Sequence, residues 1–474
     1  MEINYFALLP EIILAVFGIV IMLAVPFVPA RFQTRLGWPA LAGLLIAAGA
    51  ALLFPTSAVQ EGMLFHDAYG TFCKLLFFFS SGMVILVSIS YLDRAELQHA
   101  EFYPLILFAT IGMSLMANSA DLIMTFLGLE ILSIATYILA GFRRHDIKSG
   151  ESALKYFLLG SLSTAFLLYG IAFIYGATGT TKYPAIVQAV SVSTDRIIAL
   201  LLGMGLLFVG FGFKAALVPF HVWTPDVYEG APVPVTAHLA VSSKAAAFLA
   251  LVRILYQVLP QLNVHWQTVF WVSAFLTMAL GNIVAVTQSN IKRMLAYSSI
   301  AHAGYLLLGI VANNREGIQA ILFYLAAYAL MTLGAFAVVQ LVGRENERRV
   351  LLDDYSGLGY RQPYLAAALS VFLVSLAGIP ATGGFMGKLF LFTAAIESRL
   401  YWLVLIALLA SAIGLYYYLR VIVLMYMHEP ATDSSTAPVP VAAAVAIAIM
   451  LVGTFYLGIF PGTFLRLASE AAHF

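Results

Sequence analysis

The sequence predicts an all-α, polytopic membrane protein of about 14 transmembrane helices, and three observations carry that prediction. Of its 474 residues, 62% are hydrophobic and 10% charged, whereas an ordinary globular chain is about one-quarter charged. Apolar runs near or above the ~20 residues needed to cross a bilayer recur from one end to the other. Only short polar turns separate them, so residues 1–474 read as a single membrane domain in contact with the lipid bilayer.

Hydropathy, with Gly, Pro and charge clusters as punctuation, sets the elements in order. The first seven helices are expected near 5–28, 36–55, 70–91, 102–119, 121–141, 151–176 and 196–230. The second seven follow near 233–258, 267–288, 293–312, 317–342, 362–397, 400–427 and 437–460. The first run carries Glu2 and Glu11 and no basic flank, so it reads as a spanning helix and not as a cleaved signal peptide. The seventh and twelfth runs are long and contain breakers: Pro219 and Pro225 after Lys214, and Gly378, Pro380, Gly383 and Gly384 before Lys388. These broken helices stand five apart. A five-helix unit repeated in tandem enters the membrane from opposite sides, so 102–258 and 267–427 are expected to form an inverted pair. Interrupted helices mark ion or solute pathways, because freed backbone groups survive at membrane depth only where protein or water satisfies them.

Charge gives the orientation. With the first loop cytoplasmic, that side holds Arg31, Arg35, Arg94, Arg143, Arg144, Lys148, Lys292, Arg293, Arg344, Arg348, Arg349, Arg361 and Arg420. The other side holds Lys182, Arg196, Arg315, Arg399 and Arg466, so the positive-inside rule places both termini outside. A net charge of +1 gives no reason to expect nucleic acid. The single Cys73 excludes an internal disulfide, an all-cysteine iron–sulfur cluster and a thiolate zinc site.

The remaining basic residues, Lys74, Lys155, Lys214, Lys244, Arg253 and Lys388, fall at or within helices. Lys214 and Lys244 lie at mid-depth, where a four-carbon stem does not easily reach water. Glu130 sits near the middle of the fifth helix, where a charge costs about 2.5 kcal/mol or more unless partnered or hydrated. Burial disfavours the charged form of both groups and an opposite charge restores it, so a Glu130–Lys214 pair that opens and closes would be a proton switch. The bland alternative is a protonated Glu tying two helices together. Lys388 follows the twelfth-helix break as an exit residue, or else simply satisfies freed carbonyls. His221, His238 and His302 have the side chain suited to proton relay, with a hydrogen-bonded structural role as the alternative. Haem ligation by two histidines has no supporting spacing. Tyr297, Ser298 and Ser299 either line a wet path or join helices. Lys155, with Lys148 and Glu151, reads first as a salt-bridge ladder and second as a proton site. Lys74 and Arg253 are expected to snorkel to the outer surface, and Asp226 and Glu229 to serve as helix caps.

The segment PFHVWTPDVYEGAPVPVTAHLAVSSKAA, from Pro219 to Ala247, closely resembles the subunit N family of the proton-pumping NADH:quinone oxidoreductase, respiratory complex I. QSNIKRMLAYSSIAHAGY and GIPATGGFMGKLFLF fit the same family, and the resemblance covers nearly the whole chain. It implies that Glu130 and Lys214 form the coupling pair, that Lys244 is the central proton carrier and Lys388 the outer one. His238 stands where an apolar residue is expected. The resemblance further implies that this chain binds no cofactor, with NADH, flavin, iron–sulfur clusters and quinone on other subunits. Its expected partners are the other membrane subunits and, through them, the peripheral redox arm. The expected location is a bacterial inner membrane, with both termini periplasmic. The main rival is a subunit of a multi-subunit proton/cation antiporter; a solute transporter and a structural or haem-bearing subunit are weaker.

Overall fold

The computed structural model describes residues 8–53, 59–95, 97, 99–192, 196–343, 347, 349–429 and 438–473. Glu2, Arg344, Arg348 and the outer ends of three expected helices (5–7, 54–55 and 437) lie outside the described residues.

Helices occupy all fourteen expected positions; twelve are long and apolar enough to cross a membrane, and Phe102–Ala117 and Pro363–Ala377 are shorter apolar helices. The first half comprises Leu9–Ala24, Gly37–Leu53, Ala68–Arg94, Phe102–Ala117, Leu122–Ala140, Ile147–Thr178 and the broken pair Ile197–Ala215 and Trp223–Gly230. The eighth crossing runs from Val233 to Val258. The ninth to eleventh are Asn263–Val286, Ile291–Ala312 and Arg315–Gly343. The twelfth is broken into Pro363–Ala377 and Gly383–Glu397, and Tyr401–Met427 and Val441–Ile459 complete the set. Short polar side chains start several of these helices by accepting orphan N–H groups: Asp67 from Gly70, Asp121 from Ile123, Asp146 from Lys148 and Asn290 from Lys292 and Arg293.

The helices sort by burial. The eighth, tenth and eleventh are buried almost throughout, whereas the first, sixth and fourteenth bury only about a third of their apolar stretch. A helix that is apolar all round and enclosed by other helices leaves its polar side chains facing protein only, so the charges on the eighth and tenth helices lie in the centre of the molecule.

Neighbouring side chains satisfy both breaks. The seventh helix ends at Ala216, which sits in the left-handed region at φ 58°, a conformation that costs a non-glycine residue about 1–3 kcal/mol and persists only when its surroundings enforce it. Across the gap, Val218 donates its N–H to Thr277 Oγ1 at 3.0 Å, and its carbonyl accepts from Ser273 Oγ at 3.2 Å. Trp223 Nε1 reaches back to the carbonyl of Phe213 at 3.0 Å. At the twelfth-helix break Gly378 takes φ 87°, and Gly384 donates its N–H to Ser375 Oγ at 3.1 Å. A Cβ on Gly384 would stand 1.9 Å from the Ser375 carbonyl oxygen.

The structure adds elements too short to register as crossings: a β-hairpin of Val59–Glu61 and Leu64–His66, and helices Tyr183–Val192 and Pro461–Ala471. The eighth helix also contains two single-turn π-helical segments, Leu239–Ser243 and Ile254–Val258. Such segments break the regular hydrogen-bond ladder and are frequent at functional sites.

Gly384→Ala should overpack the twelfth-helix break, at a cost of about 1–3 kcal/mol, and lower both the yield of membrane-inserted protein and its apparent melting temperature by a few degrees. Gly205→Ala, at a position where an added Cβ meets nothing within 4 Å, is the matched control and should leave both unchanged.

Candidate functional site

Among the described residues six lysine and arginine side chains are buried, and they fall into two classes. Lys74 lies 2.9 Å from Glu11, Arg253 2.8 Å from Asp67 and Lys292 2.7 Å from Glu347. Each has a carboxylate partner. Lys214, Lys244 and Lys388 are also buried, at 4%, 1% and 6% exposure, but neutral oxygens hold them. Among the described residues, none of these three makes an ion pair.

Lys214 is the last charged residue before the seventh-helix break. Its Nζ donates to Ser133 Oγ at 3.0 Å and to Tyr156 Oη at 2.9 Å, and lies 5.3 Å from the Tyr156 ring centroid. The expected Glu130–Lys214 pair is not closed in this structure. Glu130 acts on Lys214 only through space, and its side chain is half-buried beside the outward-facing Leu127, Ile131 and Ile134. The hydroxyls of Ser133 and Tyr156 occupy the hydrogen-bonding positions a carboxylate would take. Ser133 was legible in principle, since it lies three residues after Glu130 and shares its helix face.

Lys244 follows directly on the first π-helical segment. Its Nζ donates to the backbone oxygen of Ser299 at 2.7 Å and to Ser299 Oγ at 2.6 Å. Three residues on, His302 places Nδ1 2.5 Å from Tyr324 Oη and Nε2 3.1 Å from Tyr418 Oη. The Tyr418 hydroxyl also bonds Ser298. Three further residues on, the Tyr305 ring lies 4.9 Å from Lys388 Nζ. Ser299, His302 and Tyr305 thus form one stripe at i, i+3 and i+6 on the buried tenth helix, and His302 feels the charges of both Lys244 and Lys388. Tyr305 is the member of that stripe the sequence reading missed, although its helical spacing was the available signal.

Lys388 reaches back across the twelfth-helix break. Its Nζ donates to the carbonyls of Leu376 at 3.1 Å and Ala377 at 2.9 Å, and to Ser411 Oγ at 2.9 Å. This is the carbonyl-satisfying geometry anticipated as the simpler reading, and it places the ammonium on the stripe that leads from Lys244.

The secondary candidates separate. His238 is completely buried, feels the charge of Lys214, and has no hydrogen-bond partner at either ring nitrogen. His221 is half-buried in the seventh-helix break, beside the Pro219 backbone. Tyr297 is half-buried with its carbonyl against Gly281, and no hydrogen bond joins it to the lysines among the described residues. Lys155 lies at the mouth of a polar crevice of about 230 Å³, bonded to Glu151 at 2.6 Å and Asp226 at 2.8 Å.

Three expectations are corrected. Lys74 and Arg253 do not snorkel: Glu11 and Asp67 neutralise them, and Arg253 also donates Nε to the Ala117 carbonyl at 3.0 Å. Asp226 and Glu229 are not caps. They form a charged lattice in which Arg293 bridges both, Lys155 holds Asp226 and Lys148 holds Glu229. Lys148 therefore leaves the expected ladder on its own helix. Lys292, counted among the loop charges, is fully buried against Glu347 and the Ala231 carbonyl.

Comparison with known proteins places the chain. A family model described as NADH:quinone oxidoreductase/Mrp antiporter, TM, matches residues 119–414. NADH-quinone oxidoreductase subunit N of Trichlorobacter lovleyi is 45% identical over 473 residues, covering 99% of this chain and 97% of the relative. The chain belongs to the subunit N family of NADH-quinone oxidoreductase. Subunit N of Desulforamulus reducens is 40% identical, with 100% of this chain and 99% of the relative covered. A chain of respiratory complex I from Thermus thermophilus, solved with bound Aureothin, superposes with a TM-score of 0.83 at 36% identity, covering 97% of this chain and 99% of that one. A chain of the Mrp complex from a Dietzia species reaches 0.87 at 22% identity, with 99% and 97% covered, and shares the fold. Subunit N relatives thus match from end to end at the level of sequence, and the Mrp chain at the level of architecture.

Tyr156→Phe removes one of two hydroxyls holding Lys214. A hydrogen bond to a charged group is worth about 1.5–3 kcal/mol, so coupled turnover of the assembled enzyme should fall by about tenfold, read as NADH-driven proton uptake into membrane vesicles. Unchanged uptake would remove Tyr156 from the site.

Proposed function

We propose that this subunit N moves protons across the membrane along Lys214, Lys244 and Lys388, driven by redox chemistry on other subunits of NADH:quinone oxidoreductase. The observation that carries the proposal is the division among the buried cations. An ammonium paired with a buried carboxylate is fixed in its charged state, because removing either partner strands the other. One held only by hydroxyls and carbonyls can lose its proton without leaving a counter-charge behind.

In this reading Glu130 supplies the control. A carboxylate arriving about 4 Å from an ammonium changes its energy by about 4 kcal/mol at an effective dielectric of about 20, equivalent to about three decades in a proton-transfer equilibrium. The Ser133 and Tyr156 hydroxyls that hold Lys214 support reading this arrangement as the open half of such a switch. Closure of the pair holds the proton on Lys214, and opening frees it toward Lys244. His302 and Tyr305 support the onward step from Lys244 to Lys388. The crevice lined by Lys155, Asp226 and Glu229 serves as the polar approach on the cytoplasmic side, by the charge-derived orientation with both termini periplasmic in a bacterial inner membrane.

The two units 102–258 and 267–427 are proposed as inverted repeats, each with its fourth helix broken and a lysine at the break. NADH, flavin, iron–sulfur clusters and quinone belong to other subunits, and this chain contributes no redox group. Its partners are the neighbouring membrane subunits and, through them, the peripheral arm. An antiporter driven by an ion gradient alone is the less favoured reading, since the likeness to the Mrp chain is one of fold.

Lys244→Ala should depress NADH:quinone turnover and proton pumping together by an order of magnitude or so, as expected when a positioned proton-transfer group is lost. The assembled complex should still reduce an artificial electron acceptor. Lys214→Ala and Glu130→Gln should act in the same direction. Parental pumping in the Lys244 variant would exclude this lysine from the path.

A further inference from the structure

His238 lies in the first turns of the eighth helix, just before the π-helical segment Leu239–Ser243 that leads into Lys244. Its ring is completely buried, and among the described residues neither Nδ1 nor Nε2 has a hydrogen-bond partner. A histidine retained for structure alone has its ring nitrogens satisfied, because a buried polar atom without a partner is destabilising. Metal ligation does not account for it either: no cluster of three His, Cys, Asp or Glu suited to a metal is found among the described residues.

The position of the ring supplies the reason for keeping it. The charge of Lys214 acts on His238, and Lys244 follows six residues later on the same helix. Nearby elements contribute further buried hydroxyls: Thr224 and Tyr228 from the second half of the seventh helix, and Tyr328 and Thr332 from the eleventh, which packs against the His238 segment. Lys214 itself is bonded to Ser133 and Tyr156, and Lys244 to Ser299, so no direct hydrogen bond joins the two lysines. Between Lys244 and Lys388 stands an imidazole, His302, three residues along the tenth helix from Ser299, which holds Lys244, and three from Tyr305, whose ring faces Lys388. Unlike His302, whose nitrogens face Tyr324 and Tyr418, His238 has both nitrogens free to exchange.

We propose that His238 is an additional proton relay between Lys214 and Lys244, a role that rests on the lysine pathway described above. The Lys214 ammonium gives a proton to one ring nitrogen, leaving a neutral amine and an imidazolium. The other ring nitrogen then releases its proton to neutral Lys244, leaving a neutral imidazole and an ammonium. Two proton transfers complete the step, and a ring flip or tautomer exchange resets it.

The test is made in the complete enzyme in native membrane vesicles, with His238→Phe and His238→Gln beside Lys244→Ala. Phe keeps a ring of similar size, and Gln keeps hydrogen bonding but takes up no proton in this pH range. Both His238 variants should assemble to the parental level and lose NADH-driven proton uptake by about tenfold or more. Parental uptake with Gln would mean that the side chain only holds a hydrogen bond and would overturn the relay, as would parental uptake with Phe. Should the Phe variant fail to assemble, the Gln variant alone decides between these outcomes. Loss of uptake in Lys244→Ala with parental uptake in both His238 variants refutes this inference and leaves the lysine pathway standing. Parental uptake in Lys244→Ala refutes the pathway itself.

Discussion

Everything in this membrane domain is arranged around the cost of holding charge where water is scarce. An isolated ion in a low-dielectric interior must be paired, hydrated or neutralised by proton exchange. The fold applies the first solution at three buried places and leaves it out at three others. Lys74–Glu11, Arg253–Asp67 and Lys292–Glu347 are closed ion pairs that pin helices together. Lys214, Lys244 and Lys388, at comparable burial, meet only hydroxyls and carbonyls. Burial alone therefore does not separate the two classes of buried cation; the chemistry of the partner does.

The backbone obeys the same constraint. Breaking a membrane helix frees N–H and C=O groups that lipid cannot satisfy. Ser273 and Thr277 of the ninth helix take both polar groups of Val218, and Lys388 takes two carbonyls at the other break. The two interruptions are not equivalent in this respect. At the first, neutral side chains of a neighbouring helix do the stabilising and Lys214 remains free to bond elsewhere. At the second, the lysine is itself the stabilising group, so a change in its protonation alters the hydrogen bonding of the broken helix. Chemistry and backbone geometry are coupled more directly at Lys388 than at Lys214.

Much of this was legible in the sequence because transmembrane segments are written in simple terms. The fourteen crossings and the two breaks follow from apolar run length and from Pro and Gly, and Glu130, Lys214 and Lys244 stand out as charges within apolar runs. Partnership was the part that could not be read. Lys74 and Glu11 are 63 positions apart, and Arg253 and Asp67 are separated by 186, so a rule based on depth alone sent both cations to the surface. Whether Glu130 and Lys214 are in contact was equally hidden: in this structure the Ser133 and Tyr156 hydroxyls hold Lys214. The hairpin at 59–66 and the helix Pro461–Ala471 were missed because neither is long enough to cross a bilayer. The π-helical segments leave no mark in composition.

The eighth helix shows how these constraints combine. At its start, the Glu347 carboxylate accepts the N–H of Val233 at 2.8 Å and the Tyr91 hydroxyl at 2.7 Å, while its other oxygen holds Lys292. The far part is fixed by the two-pronged Arg253–Asp67 contact, with Arg253 also stacked against Phe65 and Tyr69. Both anchors are buried and charge-assisted, and such hydrogen bonds are roughly twice as strong as neutral ones. Between them lie His238, the first π-helical segment and Lys244, where the backbone ladder is irregular and the titratable side chains lack carboxylate partners. A helix clamped at its ends and loosened in its middle confines rearrangement to the stretch that carries the exchangeable groups. Rigid anchoring and local irregularity are what the proposed pathway requires of this helix: a Lys244 that changes its contacts while the helices around it keep their places.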